Sequence, residues 1–158
     1  MRIGHGYDVH AFTAGDHVNV GGLRIACDVG VRAHSDGDVA IHALCDALLG
    51  AAALGDIGRL FPDTDPAWAG ADSRDLLAEV IAHVGEAGWA PINLDITVIA
   101  EKPRIGAHVE KIRPIIARLA GVAPDAVSVK ATTHEGIGGL GRGEGIAAHA
   151  VVLLGHRS

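Results

Sequence analysis

The chain has 158 residues, 49% of them hydrophobic, which suits one domain with a substantial core and excludes a disordered chain. Thirteen basic against 19 acidic residues give a formal charge of −6, which argues against a nucleic-acid surface and requires bound cations if the substrate is phosphorylated. The longest apolar run, around residues 47–54, is too short for a membrane span, and no charged-then-apolar signal segment opens the chain.

In chain order, residues 2–9 read as a first strand, running into "GYDVH" at 6–10. Asp8 and His10 are two apart and so share one strand face, as a surface pair, an acid/base pair or part of a metal site. "VNVGGLRI" (18–25) reads as a hairpin turning at Gly21-Gly22. Cys27 and Cys45 form no CxxC pattern, which points to a reduced, cytoplasmic protein. Ser35 followed by Asp38 has the look of a capping box and opens an Ala/Leu-rich helix to about Leu54. Asp38, His42 and Asp46 recur every four residues along it, either a solvated stripe or a functional one. "FPDTDP" (61–66) is loop chemistry. Asp72 or Ser73 caps a second helix ending at Gly88, and "INLDITVIA" (92–100) alternates as a strand. A third helix covers about 106–120, with Pro114 expected to kink it or move its start. "VSVKAT" (127–132) and 145–154 are the last strands. There is no internal repeat or linker, so residues 1–158 are read as a single domain. The order predicts an α+β two-layer sandwich, one mixed sheet with helices on one face. The bare face is expected to be buried against copies of the chain.

Four groups of residues carry candidate chemistry. Asp8 and His10 from a strand plus His42 from a helix make a three-ligand set, and three ligands leave a tetrahedral zinc one open position. "AHSDGD" places His34 and Ser35 at a helix N-terminus, where anions are favoured, although Ser35 can equally be an ordinary cap. "KATTHEGIGGLGRGEG" (130–145) takes Thr132, Thr133 and Glu135 from a strand end into a glycine-rich loop. Its hydroxyls and N–H groups suit phosphate oxygens, and Glu135 suits a hard ion such as Mg²⁺ or Mn²⁺. The GxGxxG in that loop is followed by only 17 residues, too few for a dinucleotide fold. No P-loop and no HExxH occurs. Asp56, Asp63 and Asp65 lie on a Gly/Pro-rich loop, as a surface turn or a functional loop.

"MRIGHGYDVHAF", "AHSDGDVAIHALCDALLGAAALGDIGRLFPDTDP", "GADSR", "IAEKPRI" and "VKATTHEGIGGLGRGEGIA" closely resemble the 2-C-methyl-D-erythritol 2,4-cyclodiphosphate synthase family of the non-mevalonate isoprenoid pathway, from residue 1 to about 154. The resemblance implies cyclisation of 4-diphosphocytidyl-2-C-methyl-D-erythritol 2-phosphate with release of CMP, by a homotrimer with sites between subunits. It implies Asp8, His10 and His42 as ligands of one Zn²⁺ per chain, and Glu135 as ligand of a second divalent ion. His34 and Thr133 are implied as the catalytic pair that positions the phosphates. Ser35, Asp56, Ile57, Gly58 and the loop residue Asp63 are implied around the phosphate and methylerythritol parts. Ala100, Pro103, Arg104, Ile105, Gly106, Ala131 and Thr132 are implied at the cytidine. Arg142, with Glu144, matches residues near the three-fold axis and is counted with the substrate-binding set. Gly139 departs from the family, which often carries an aromatic residue there. Asp46, one turn after His42, is read as supporting the ligands or as merely structural. Two rival readings are a zinc-dependent phosphohydrolase and a non-catalytic trimer that binds nucleotide or prenyl phosphate.

Overall fold

A computed structural model describes residues 1–62, 64–68 and 70–157. Its main sheet has five strands in the order β4-β1-β7-β5-β6: β1 (Arg2–Thr13), β4 (Gly30–Val31), β5 (Trp89–Ile99), β6 (Val127–Thr132) and β7 (Gly145–His156). All pairings are antiparallel except β5 with β6, so the sheet is mixed. The long helices α1 (Val39–Ala52), α3 (Ser73–Glu86) and α4 (Val109–Ala120) cover one face, giving the expected α+β two-layer architecture. Single-turn helices α2 (Ile57–Leu60) and α5 (Gly138–Gly141) lie in the loops.

The hairpin forms as read, β2 (His17–Val20) and β3 (Leu23–Ala26), but as a separate ribbon outside the main sheet. Gly21 and Gly22 both have positive φ, +61° and +79°, as a tight hairpin turn requires. The turn packs onto α4: a Cβ at Gly21 would lie 2.3 Å from Ile112 Cγ2.

The alternation of β1 decides which face meets the helices. Gly4 and Gly6 are buried, whereas Ile3 and Val9 are 73% and 48% exposed. At Gly4 and Gly6 a Cβ would lie 2.0 and 1.9 Å from the carbonyl oxygens of Ala47 and Ala43, so α1 rests directly on the strand backbone. The even-numbered residues therefore face α1, and Asp8 and His10 continue that row towards its first turns. The odd-numbered face leaves Ile3, Tyr7 and Val9 exposed beside Val151 on β7.

Two local expectations are corrected. The cap of α1 is Asp38, not Ser35: the helix begins at Val39, and Asp38 Oδ1 accepts the Ile41 N–H at 3.0 Å. His34 and Ser35 thus precede the helix rather than standing at its N-terminus, and the anionic group at that end is Asp38 itself. The third helix begins at Val109, after a 3-10 turn over Ile105–His108, and runs on past Pro114.

Asp38 is fully buried and also accepts the N–H groups of Gly21 (2.8 Å) and Gly22 (2.6 Å). Burial pushes its carboxyl up, against the lowering effect of these three N–H bonds. Asp38→Ala should strip partners from N–H groups in the hairpin turn and the first turn of α1. At about 1–3 kcal/mol for each buried donor, a loss of about 3 kcal/mol or more is expected in urea denaturation. A loss below about 1 kcal/mol would contradict this role.

Candidate functional site

The β1 row and α1 bring Asp8, His10 and His42 together. Asp8 Oδ2 lies 2.8 Å from His10 Nε2 and 3.0 Å from His42 Nδ1, and the two ring nitrogens are 3.0 Å apart. Among the described residues this is the one group of three or more His, Cys, Asp or Glu side chains able to share an ion. Ligand bonds of about 2.0–2.2 Å around a tetrahedral zinc set neighbouring donors about 3.3–3.6 Å apart, close to this triangle. One carboxylate and two imidazoles suit a divalent cation, so the residues fit a metal. Burial alone would raise the Asp8 carboxyl, but the hydrogen bonds and charges of His10 and His42 outweigh it and hold it far below the usual carboxylate range. Burial would lower His42, but the Asp8 hydrogen bond and the nearby carboxylates raise it above its ordinary value.

A cleft of about 160 Å³ opens beside the triangle, lined by His10, His34, Ser35, His42, Ile57 and Gly58 among others. Asp56 is not in its lining: it caps α2 by accepting the Arg59 N–H at 2.9 Å. Asp63 lies outside the described residues. Asp46 does not bond to a ligand of the triangle. Its Oδ1 accepts the Ile57 N–H at 2.8 Å, so it holds the Asp56–Gly58 segment against α1.

A second cleft, about 370 Å³, lies where β5 and β6 end. Ala100, Arg104, Ile105, Gly106, Ala131 and Thr132 line it, together with Glu101 and Thr133, while Pro103 does not. Glu101 lies within the 100–106 segment implied at the cytidine, and its Oε1 accepts the His134 N–H at 2.9 Å, tying that segment to the loop after β6. In that loop Thr133 Oγ1 donates to Glu135 Oε1 and accepts the Glu135 N–H, both at 3.2 Å. Glu135 holds a φ of +51°, a left-handed conformation uncommon for a residue with a side chain. Arg142 joins neither cleft; its Nε donates to Glu144 Oε1 at 2.7 Å. At Gly139 a Cβ would lie 2.9 Å from Glu144 Oε2, so a larger residue there requires Glu144 to move.

The sheet register separates the clefts. Val9 pairs with Ala147, Ala147 with Ile99, and Ile99 with Thr132. The triangle and the end of β6 are thus three strand spacings apart, about 14 Å. The sequence reading missed Ser73 and Asp36. Ser73 was read, as an alternative to Asp72, as a helix cap, yet its hydroxyl, like that of Ser35, reaches His42 Nε2 at 3.0 Å. The cap of α3 is its neighbour Asp72, which accepts the Arg74 N–H.

The YgbB family matches residues 1–155. A protein of Pseudomonas paraeruginosa named 2-C-methyl-D-erythritol 2,4-cyclodiphosphate synthase is 60% identical over 154 residues, covering 98% of each chain. A protein of the same name from Chromohalobacter salexigens is 62% identical over 98% of this chain and 95% of its own. Among solved structures, the bifunctional IspDF of Campylobacter jejuni superposes with a TM-score of 0.95 at 41% identity, over 99% of this chain and 42% of that longer one. A 2C-methyl-D-erythritol-2,4-cyclodiphosphate synthase in a CDP-bound form superposes with a TM-score of 0.90 at 40% identity, over 98% of this chain and all of that one. With a match along nearly its whole length, the chain belongs to the YgbB family, alongside the 2-C-methyl-D-erythritol 2,4-cyclodiphosphate synthases.

Proposed function

We propose that the chain is a single-domain, cytoplasmic phosphorus–oxygen lyase that cyclises 4-diphosphocytidyl-2-C-methyl-D-erythritol 2-phosphate to the 2,4-cyclodiphosphate and releases CMP. The observation that carries this reading is the Asp8–His10–His42 triangle beside a cleft lined by His34 and Ser35, in a chain 60% identical to a protein of that name. No described helix is long and apolar enough to cross a membrane.

The nucleophile is the substrate's own 2-phosphate. One of its oxygens bonds to the β-phosphorus, the bond from that phosphorus to the α-phosphate bridging oxygen breaks, and CMP carries the electron pair away. A phosphate is already ionised near neutral pH, so the chain needs no strong base. Its task is to fold two anionic groups together. Asp8, His10 and His42 would hold Zn²⁺, and Glu135 would share Mg²⁺ or Mn²⁺ with substrate oxygens. Bound there, the ions would supply charge neutralisation and polarisation of the phosphates. His34 and Ser35, beside the triangle, orient the attacking phosphate, while the Thr133 hydroxyl meets the diphosphate from the end of β6. Ile57 and Gly58, with Asp56 beside them, surround the methylerythritol, and Asp63 is assigned to the same part of the substrate. The second cleft takes the cytidine between Ala100–Gly106 and Ala131–Thr132, with Pro103 shaping the turn. Arg142 acts away from both clefts, with Glu144.

For two ions to act on one diphosphate, the residues that would hold them, Asp8, His10 and His42 on one side and Glu135 on the other, must converge on it. Within one chain the triangle and the Thr133–Glu135 loop begin about 14 Å apart across the sheet. That separation supports a homotrimer in which a neighbouring subunit brings its β6 loop to the triangle. The exposed apolar face of β1 and β7 supports the same assembly.

Glu135→Gln tests the division of labour. The variant should keep its zinc and lose at least about 100-fold in Mg²⁺-dependent CMP release, measured by chromatography. Wild-type turnover across a Mg²⁺ titration would remove Glu135 from the role.

A further inference from the structure

His42 is held from behind as well as in front. Its Nδ1 faces Asp8 and His10, and its Nε2 lies 3.0 Å from both Ser35 Oγ and Ser73 Oγ. Ser73 is fully buried at the start of α3, and its hydroxyl carries a single proton. That proton is committed: Ser73 Oγ donates to Asp36 Oδ1 in a short hydrogen bond. The Asp36 carboxylate is itself fixed from both helices, accepting the Ser73 N–H (3.2 Å) on Oδ2 and the Asp38 N–H (3.2 Å) on Oδ1. A hydroxyl that gives its proton to a carboxylate can only accept from an imidazole. His42 Nε2 must therefore carry a proton, so once the Nδ1 proton shared with Asp8 is lost and the ring is neutral, the Nδ1 lone pair points at the triangle. A partner that fixes the tautomer and orientation of a ligating histidine raises its affinity for the ion.

We propose that Asp36 and Ser73 are positioning residues for the metal centre, a relay in which Asp36 orients the Ser73 hydroxyl and Ser73 sets the His42 tautomer. The relay ties the ligand set to the N-terminus of α3. It rests on the reading that Asp8, His10 and His42 hold a metal. A merely structural Asp36–Ser73 pair would join the loop before α1 to α3 without affecting the His42 ring.

The test uses the full-length protein, with zinc affinity measured by competition against a chromophoric chelator and the ring tautomer read by ¹⁵N NMR of histidine-labelled, metal-free protein at pH 8. Wild type should show His42 as the Nε2–H tautomer. Ser73→Ala removes the committed acceptor. Asp36→Asn offers Ser73 an amide donor, so its hydroxyl turns to give a proton to Nε2. Each should weaken zinc binding about 10–100-fold with the fold retained by circular dichroism. Asp36→Asn should also shift His42 towards the Nδ1–H tautomer. Unchanged zinc affinity in a folded variant overturns the relay. If neither variant folds, the wild-type spectrum decides: an Nδ1–H tautomer overturns the relay and Nε2–H supports it. A wild type that binds zinc but forms no cyclic product removes the cyclase reading and leaves the relay standing. A wild type that binds no zinc overturns the relay together with the metal centre.

Discussion

Replacing His42 with alanine should abolish stoichiometric zinc binding and reduce turnover at least about 1,000-fold. The imidazole would supply one of three ligands, and the two left, Asp8 and His10, both come from one face of β1. An ion held by two protein groups is bound far more weakly, because the chelate that fixes its geometry is gone. The fold should survive. His42 is partly exposed, and α1 is anchored by its other face, with Ile41, Leu44 and Leu48 fully buried. The checks are metal analysis of the purified variant, thermal denaturation, and a turnover assay with zinc in excess. One zinc per chain in His42→Ala would dismantle the ligand assignment. Loss of zinc with full turnover would show that the ion is not needed for the reaction.

The second large effect is recovery of activity from two dead variants. His42→Ala breaks the metal triangle. Ala131→Trp fills the second cleft, where the exposed Ala131 side chain leaves room for a ring. Each variant alone should be nearly inactive. Co-expressed, they should form mixed trimers. If each site takes its triangle from one subunit and its β6 cleft from the next, random mixing leaves about a quarter of the sites whole. Activity should rise towards that fraction of wild type. If every site is built within one chain, every site carries a defect and nothing recovers. Mixed trimers shown by native mass spectrometry that stay inactive would refute the shared site.

Most of the fold was legible where the pattern is local. The strand read at 127–132 matches β6 residue for residue, because period-two alternation ends there in a polar loop. The hairpin at Gly21-Gly22 was equally clear, since few residues other than glycine enter such a turn twice in succession. Elements fixed by distant partners were less legible. β1 extends from the expected residue 9 to Thr13 because Phe12 and Thr13 pair with Val31 and Gly30, two residues too short to read as a strand. β5 begins at Trp89, ahead of Pro91, and the irregularity between Pro91 and Asn93 accommodates the missing N–H. At the site, periodicity grouped Asp8, His10 and His42 as a possible ligand set, but that β1 and α1 meet there was not legible, since it depends on Gly4 and Gly6 letting α1 lie on the strand. Asp36 and Ser73 gave no such signal. Asp36 sits two residues before the cap Asp38 and Ser73 directly after the cap Asp72, where Ser and Asp are commonplace, and only the packing of α3 on α1 brings Ser73 to His42. For Asp46, read either as supporting the ligands or as structural, the hydrogen bond to the turn into α2 favours the structural role.

The reaction proposed for this protein closes a ring rather than cutting a chain. The most direct measurement is phosphorus NMR of the products formed from 4-diphosphocytidyl-2-C-methyl-D-erythritol 2-phosphate with the zinc-loaded protein and Mg²⁺. The account predicts two coupled diphosphate resonances from the eight-membered cyclic product, together with one CMP resonance in equal molar amount. A linear phosphate or diphosphate product, as a metal-dependent phosphohydrolase would give, or substrate that persists unchanged, as a non-catalytic binding trimer would leave it, would contradict the account.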